Sequence, residues 1–303
     1  MRHFFLTLAA AALAPLTVGA WAQTPNVVVS IAPLHGLTAS VMQSVGEPRL
    51  LLPPGASPHS FSLRPSAARA IARANLIVWV GPALENFMER PLKALAKKDR
   101  LLTLATLGEM KLLKVRDDHL HGRGHDHGHA NGIDPHLWLS SGNAKAIATA
   151  VAARLIAVDP DRKAAYARNL KATLAAIAKT EQDIGVLLSP VRAAPYATFH
   201  DAFQYFERAF GLTGGAWVAV DASRRPSAKR LSALRRDFAK RNVRCVFSEP
   251  QFPSSLLKTL TDGTGAKIAA LDPLGSKIGS GPGHWNETML TLARSLRNCL
   301  SSP

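Results

Sequence analysis

"NVVVSIAPLHGLTASVMQSVGEPRLLLP" (26–53) carries the clearest pattern of the fold. "NVVVSIAPL" (26–34) is apolar without alternating, the pattern of a strand buried on both faces. "HGLTASVMQSVG" (35–46) reads as a helix ended by Gly46, and "PRLLLP" (48–53) is again strand-like. A strand, a helix and a second strand without polar alternation predict a parallel sheet with helices on both faces.

The same rhythm continues outward. "PSAARAIARAN" (65–75) is helical, with Pro65 suited to a first turn. "LIVWVG" (76–81) is a buried strand, a helix follows near 83–97, and "LLTLA" (101–105) is a strand. Residues 106–133 break the rhythm with histidines, glycines and charges, and read as a mobile loop. "NAKAIATAVAARLIAV" (143–158) is an amphipathic helix. A further helix starts at Asp159–Pro160, carries Tyr166, Leu170, Leu174, Ile177, Ile184 and Leu188 at helical spacing, and stops at Pro190. Its length, roughly 43 Å at 1.5 Å per residue, suits a link between two lobes. The second half repeats the pattern. "YATFH" (196–200), "AWVAV" (216–220), "RCVFSE" (244–249) and "AKIAALD" (266–272) are strand candidates. "DAFQYFERAFG" (201–211) is a helix with Phe203, Phe206 and Phe210 inward and Gly211 as its end.

The 303 residues suffice for two modest domains, and 47% hydrophobic residues allow a real core. Arg2 and His3, an apolar run from Phe4 to Val18 and "AWA" at 20–22 form a secretion signal, so the expected mature chain starts at Gln23 and is exported. Two cysteines, Cys245 and Cys299, predict one disulfide in an oxidising compartment. The loop it closes is worth about 4 kcal/mol in the chain-entropy model. The net charge of +16 raises the question of nucleic acid. In "RRPSAKRLSALRRDFAKR" (224–241) the cations spread along helical faces instead, so solvated surfaces are expected and no nucleic-acid partner. A long-range attraction to anionic membrane or cell-wall polymers follows from the same charge.

Four side chains share a context. His59 sits in "PPGASPHSF" after the strand at 48–53, His136 in "DPHLW", and His200 and Asp272 at the ends of their strands. Ligands of open α/β sheets bind beyond the carboxyl ends of strands, so the four are candidates to converge on one cleft. Three imidazoles and an oxygen suit Zn²⁺ better than Mn²⁺ or Fe²⁺, which favour more carboxylate. Each residue also has a plainer reading: a loop histidine, a helix cap, a satisfied core histidine and a turn residue. His35 follows a strand as well and is a reserve ligand or wall residue, and His284, in "GSGPGHWNE", reads as a surface loop histidine. His119, His121, His125, His127 and His129 lie among glycines beside Asp117, Asp118 and Asp126. Ordering such a segment costs entropy, so it is expected to hold Zn²⁺ weakly and in several arrangements.

"LLPPGASPHSFSLRPS" (51–66), the histidine-rich loop, "DPHLWLS" (134–140), "ATFHDAFQYF" (197–206), "VFSEPQF" (246–252) and "LDPLG" (271–275) together resemble the zinc-binding proteins of bacterial ABC importers, the ZnuA-like solute-binding proteins. The resemblance covers nearly the whole mature chain. It implies two α/β lobes, each a mainly parallel sheet flanked by helices, joined by one long rigid helix with the metal in the cleft. It implies that His59, His136 and His200 ligate Zn²⁺, with Asp272 or a water fourth. It suggests a Cys245–Cys299 disulfide, and it makes an ABC permease of the inner membrane the partner. Some members place an acid just before the first histidine; here that residue is Pro58. The expected organisation is a signal peptide at 1–22, an N-terminal lobe at 23–158 with the loop at 115–133, a linking helix at 159–189 and a C-terminal lobe at 190–303, as a monomer.

The function expected is capture and delivery of Zn²⁺ without catalysis. A secreted zinc hydrolase or lyase would want a placed general base, and the chain has no H-E-x-x-H, no GxSxG and no GxxxxGK[ST]. A zinc buffer or chaperone would use the loop as the main binder. A manganese or iron importer subunit fits the low carboxylate count poorly.

Overall fold

The computed structural model describes residues 23–116, 132–214, 216–219, 227–252 and 255–301. The valine run forms β1 (Val27–Val29), buried throughout. Helix α1 (Ala32–Val41) begins three residues earlier than the periodicity predicts, because Pro33 has the fixed φ that a first helical turn takes. β2 (Arg49–Leu50), α2 (Pro65–Arg73), β3 (Leu76–Trp79), α3 (Asn86–Leu95) and β4 (Leu101–Thr103) complete a parallel sheet of order β2-β1-β3-β4.

Helix α4 (Ser141–Val158) is capped by Ser140, whose Oγ accepts from Asn143 N at 3.3 Å. Pro160–Arg162 is a single 3-10 turn, so the long helix α5 (Lys163–Leu188) starts later than expected. Its 26 residues span about 39 Å. Its buried stripe is Tyr166, Thr173, Ile177, Thr180, Ile184 and Leu188. Leu170 and Leu174, expected on the stripe, are only half-buried, while Thr173 and Thr180 are buried, and Thr180 accepts a hydrogen bond from Asn286 at 2.9 Å.

The second sheet repeats the first. β5 (Tyr196–His200), α6 (Gln204–Phe210), β6 (Ala216–Ala219), α7 (Ala228–Arg241), β7 (Cys245–Ser248), α8 (Ser255–Thr261) and β8 (Lys267–Ala270) give the parallel order β6-β5-β7-β8, and α9 (His284–Ser301) closes the chain. Gly211 takes the left-handed conformation (φ 65°) that ends α6. Cys245 and Cys299 form a disulfide, Cα–Cα 6.3 Å, tying β7 to α9.

Both sheets are covered on both faces, which is why their strands read as unbroken apolar runs. Val28, Ile71, Ile77, Met88 and Leu92 pack under α2 and α3; Val218, Leu234, Phe238, Val246 and Leu260 pack under α7 and α8. Between the sheets a third cluster runs continuously from Val29 and Val78 through α1, α4, α5 and α9 to Phe203 and Phe247. A shared apolar core of this kind ties the lobes together, unlike a wet domain interface. Helices α1 and α9 approach closely at Gly36, where a Cβ would lie 2.7 Å from His284 Cβ and 3.0 Å from Trp285 N.

Two readings are corrected here. Residues 106–116 are not part of a mobile loop. Met110 is buried, Leu112 and Leu113 pack on the central core, Leu113 N donates to Tyr205 Oη, and Arg116 pairs with Asp201 and Glu207. A strap lying flat across other elements has no period to read. His284 is not a surface histidine either. It is 2% exposed and opens α9. The glycines before it fold back so that its ring nitrogens meet the carbonyls of Gly279 (3.2 Å) and Leu274 (3.0 Å).

Candidate metal centre

His200 is the last residue of β5, so the strand direction alone carries its ring past the edge of the C-terminal sheet. Glu249 stands just beyond the neighbouring strand β7. Its Oε1 lies 2.5 Å from His200 Nδ1 and also accepts from His200 N at 3.3 Å. His136 follows the strap and precedes the 3-10 turn Leu137–Leu139. Asp134 Oδ1 accepts from His136 N at 3.0 Å and lies 2.8 Å from its Nδ1. His59 comes from the loop after β2, where its N–H donates to Ser57 Oγ at 3.3 Å.

These three rings form one cluster. Centroids lie 5.1 Å apart for His136–His200, 5.5 Å for His59–His136 and 5.6 Å for His59–His200. One nitrogen from each lies within 4.8 Å of the other two, and this is the single group of metal-ligating side chains of that size among the described residues. His136 and His200 are 4% and 5% exposed. A carboxylate accepts only a proton-bearing nitrogen, so Asp134 and Glu249 fix the proton of each ring on Nδ1. Both Nε2 atoms then present lone pairs, and they face one another at 3.3 Å. Two lone pairs at that distance repel unless a cation lies between them. In tetrahedral coordination with bonds of about 2.0–2.1 Å, ligand nitrogens stand about 3.3 Å apart.

Burial works to lower the pKa of His200, and the charge and hydrogen bond of Glu249 outweigh it, so the net shift is upward. Trp138, Phe252, Pro58, Pro273 and Leu274 wall the pocket. Phe252 stacks on Phe199 at 4.8 Å and stands edge-on to His200. Such apolar walls lower the local dielectric and strengthen electrostatic attraction inside. The strand-to-strand geometry is held across the lobes: Trp138 Nε1 donates to Pro273 O at 2.9 Å and Trp285 Nε1 to Trp138 O at 2.8 Å.

The remaining candidates lie elsewhere. Asp272 follows β8 but does not line the pocket. Its Oδ1 accepts from Gln251 Nε2 and Leu274 N, both at 3.0 Å, and its Oδ2 accepts from Ser276 N at 2.6 Å and Ser276 Oγ at 2.5 Å. His35 is buried inside α1 with Nε2 on Pro48 O at 2.8 Å, and burial lowers its pKa. His119, His121, His125, His127 and His129 fall outside the described residues. Sequence reasoning assigned no role to Asp134 or Glu249. An acid two positions before His136 is a local signal that was there to read; Glu249, 49 residues from His200, leaves none.

The family of ZnuA, the periplasmic component A of a zinc-uptake complex, matches residues 27–299. The high-affinity zinc uptake system protein ZnuA of Brucella suis biovar 1 is 35% identical over 307 residues, 91% of this chain and 92% of that protein. The ZnuA of Yersinia pestis is 35% identical over 83% of this chain and 84% of its own length. A crystal structure of a ZnuA deletion mutant with zinc bound superposes with a TM-score of 0.78 at 26% identity, covering 93% of this chain and all of the other.

Proposed function

We propose, because the chain belongs to the family of ZnuA, the periplasmic component of a zinc-uptake complex, that it captures Zn²⁺ in the periplasm and hands the ion to an ABC-type permease. The observation that carries the reading is the pair of Nε2 lone pairs set 3.3 Å apart by two buried carboxylates, with the His59 ring beside them. His59, His136 and His200 are the proposed ligands, and the ion is cargo. No general base, nucleophile or substrate-sized cleft is needed, and we assign the chain no catalysis. The leader 1–22 is removed after Ala22, and the mature chain works as a monomer, with lobes at 23–158 and 190–303 about the linking segment 159–189. Residues 117–131, with five histidines, serve as an auxiliary collector of zinc.

A chelator-competition titration of Zn²⁺ against Mn²⁺, on protein from Gln23 onward lacking residues 117–131, tests this directly. One tight, zinc-preferring site is the expected result. Loss of tight binding in that variant would make the histidine-rich segment the main binder and the protein a zinc buffer or chaperone.

A further inference from the structure

Three imidazoles leave one position of a tetrahedral ion open. Pro58 stands where an acid before His59 would reach it, and both oxygens of Asp272 are engaged in their own turn and on Gln251. Among the residues lining the pocket, side-chain oxygens come from Ser57, Glu249 and Gln251. Ser57 Oγ accepts from His59 N, within its own loop. Glu249 Oε1 is committed to His200. Gln251 differs. Its Nε2 donates to Asp272 Oδ1 at 3.0 Å. A carboxylate accepts from an NH₂ and repels a carbonyl oxygen, so this bond fixes the amide orientation and turns Oε1 away from Asp272. That oxygen is buried and has no hydrogen-bond partner. Four buried side-chain atoms among the described residues share that condition, and only that of Gln251 belongs to a residue lining the histidine pocket. A buried acceptor left unmatched is costly, and such atoms mark places where a ligand or water belongs.

We infer that Gln251 is the positioning residue of the fourth coordination site: its Oε1 accepts a hydrogen from a water bound to the captured ion, and Asp272 acts through Gln251 and is not itself a ligand. The inference rests on the zinc-capture reading above. Glu249-Pro250-Gln251 then has a divided role at the end of β7, with Glu249 orienting an imidazole and Gln251 orienting the water. A neutral amide acceptor adds no charge to a three-imidazole site, which keeps the donor set suited to Zn²⁺ and away from the carboxylate-rich sets that suit Mn²⁺.

The test uses the full chain from Gln23, loaded with one equivalent of Zn²⁺ for chelator competition and X-ray absorption, or of Co²⁺ for its visible spectrum. Gln251→Leu keeps the volume and removes the oxygen. It is expected to lower zinc affinity about tenfold, the lower end for an outer-shell partner of a metal site, and to alter the Co²⁺ bands and the single oxygen shell while three imidazoles remain. Asp272→Asn is expected to weaken binding several-fold in the wild-type background and hardly at all on top of Gln251→Leu, since both act on one group. Near-ultraviolet circular dichroism checks that each variant is folded, and Gln251→Met serves if the leucine variant is not. Wild-type affinity and an unchanged Co²⁺ spectrum in the folded Gln251 variant would overturn the inference and leave the capture function standing. Equal losses from Asp272→Asn in both backgrounds would overturn it too, making Asp272 an independent contributor. Failure of the wild-type chain to bind zinc through imidazoles would remove the functional reading and this inference together.

Discussion

The two sheets share one strand order, and the edge beyond the first strand of each is put to different use. At the end of the first strand of the N-terminal sheet stands Ser30; at the end of the first strand of the C-terminal sheet stands His200. Each is met by a buried glutamate from beyond the third strand. Glu85 Oε1 accepts from Ser30 Oγ at 2.5 Å, and Glu249 Oε1 lies 2.5 Å from His200 Nδ1. In the N-terminal lobe the carboxyl also accepts from Val80 N and Gly81 N and is fully buried, so it is a pin for the β3–α3 turn. In the C-terminal lobe the glutamate mounts a ring whose other nitrogen looks into the cleft. A hydroxyl has no second ligating atom to offer; an imidazole does. By strand register His200 stands one residue further along than Ser30, so a hydroxyl–carboxyl pin at one sheet edge and the carboxyl-held imidazole of the proposed metal site at the other are neighbouring, not identical, positions.

Removing the imidazole has the largest expected effect. His200→Ala is expected to lower zinc affinity about a thousandfold, while Ser30→Ala leaves it within about twofold and costs about 1–3 kcal/mol of stability by stranding a buried carboxyl. Chelator competition and denaturant unfolding, run on both variants, read the two effects separately; a zinc loss from Ser30→Ala would erase the distinction. The partners come next. Glu249→Gln is expected to weaken zinc binding by about 10–100-fold, because the ring loses the acceptor that orients it, and Glu85→Gln to leave affinity unchanged.

Acid sharpens the same contrast. Zinc needs the neutral imidazole, and the raised pKa of His200 means that protons compete for it from above the ordinary 6.5. Affinity should therefore already be falling between pH 7.5 and 6.5 and fall further toward 5.5; a flat profile would exclude a three-histidine site. Glu85 acts on stability instead. Burial, opposed by its hydrogen bonds to Ser30, Gly81 and Val80, raises its pKa from 4.5 to about 7. The folded chain then holds a proton that the unfolded chain has lost, so this contribution is complete below pH 4.5 and disappears as pH rises through about 7. Glu85→Gln should flatten the pH dependence of metal-free unfolding across that window. The smallest effect concerns the core common to both lobes. Gly36→Ala should cost about 1–3 kcal/mol by overpacking α1 against α9, with the zinc affinity of the folded fraction little changed.

Much of this was legible in the residues. Unalternating strands forecast two covered parallel sheets, and the stripe on α5 forecast a long helix with one buried face, because periodicity is a property of consecutive side chains and needs no partner to be read. His200 was placed at a strand end and was found there. The strap at 106–116 was misread for the complementary reason: Met110 and Leu113 are fixed by what they lie against, and their spacing records nothing of it. His284 reads as a loop residue because its neighbours are glycines, although those same glycines let the chain turn tightly enough to bury it.

The order of residues along the chain sets the α/β class, the expectation of an export leader, the one possible disulfide and the residue types from which a zinc site can be made. Tertiary structure alone decided which of those residues meet. Glu249 reaches His200 across 49 residues, Tyr205 reaches Asp134 across 71, and Trp138 reaches Pro273 across 135. Asp272, at a strand end like His200, is drawn away to Gln251 and Ser276. The reason is physical. Backbone periodicity and strand direction are set by neighbours along the chain. The partner of a buried carboxylate is set by whichever turn the packed sheets and helices bring within about 3 Å, the span of a hydrogen bond.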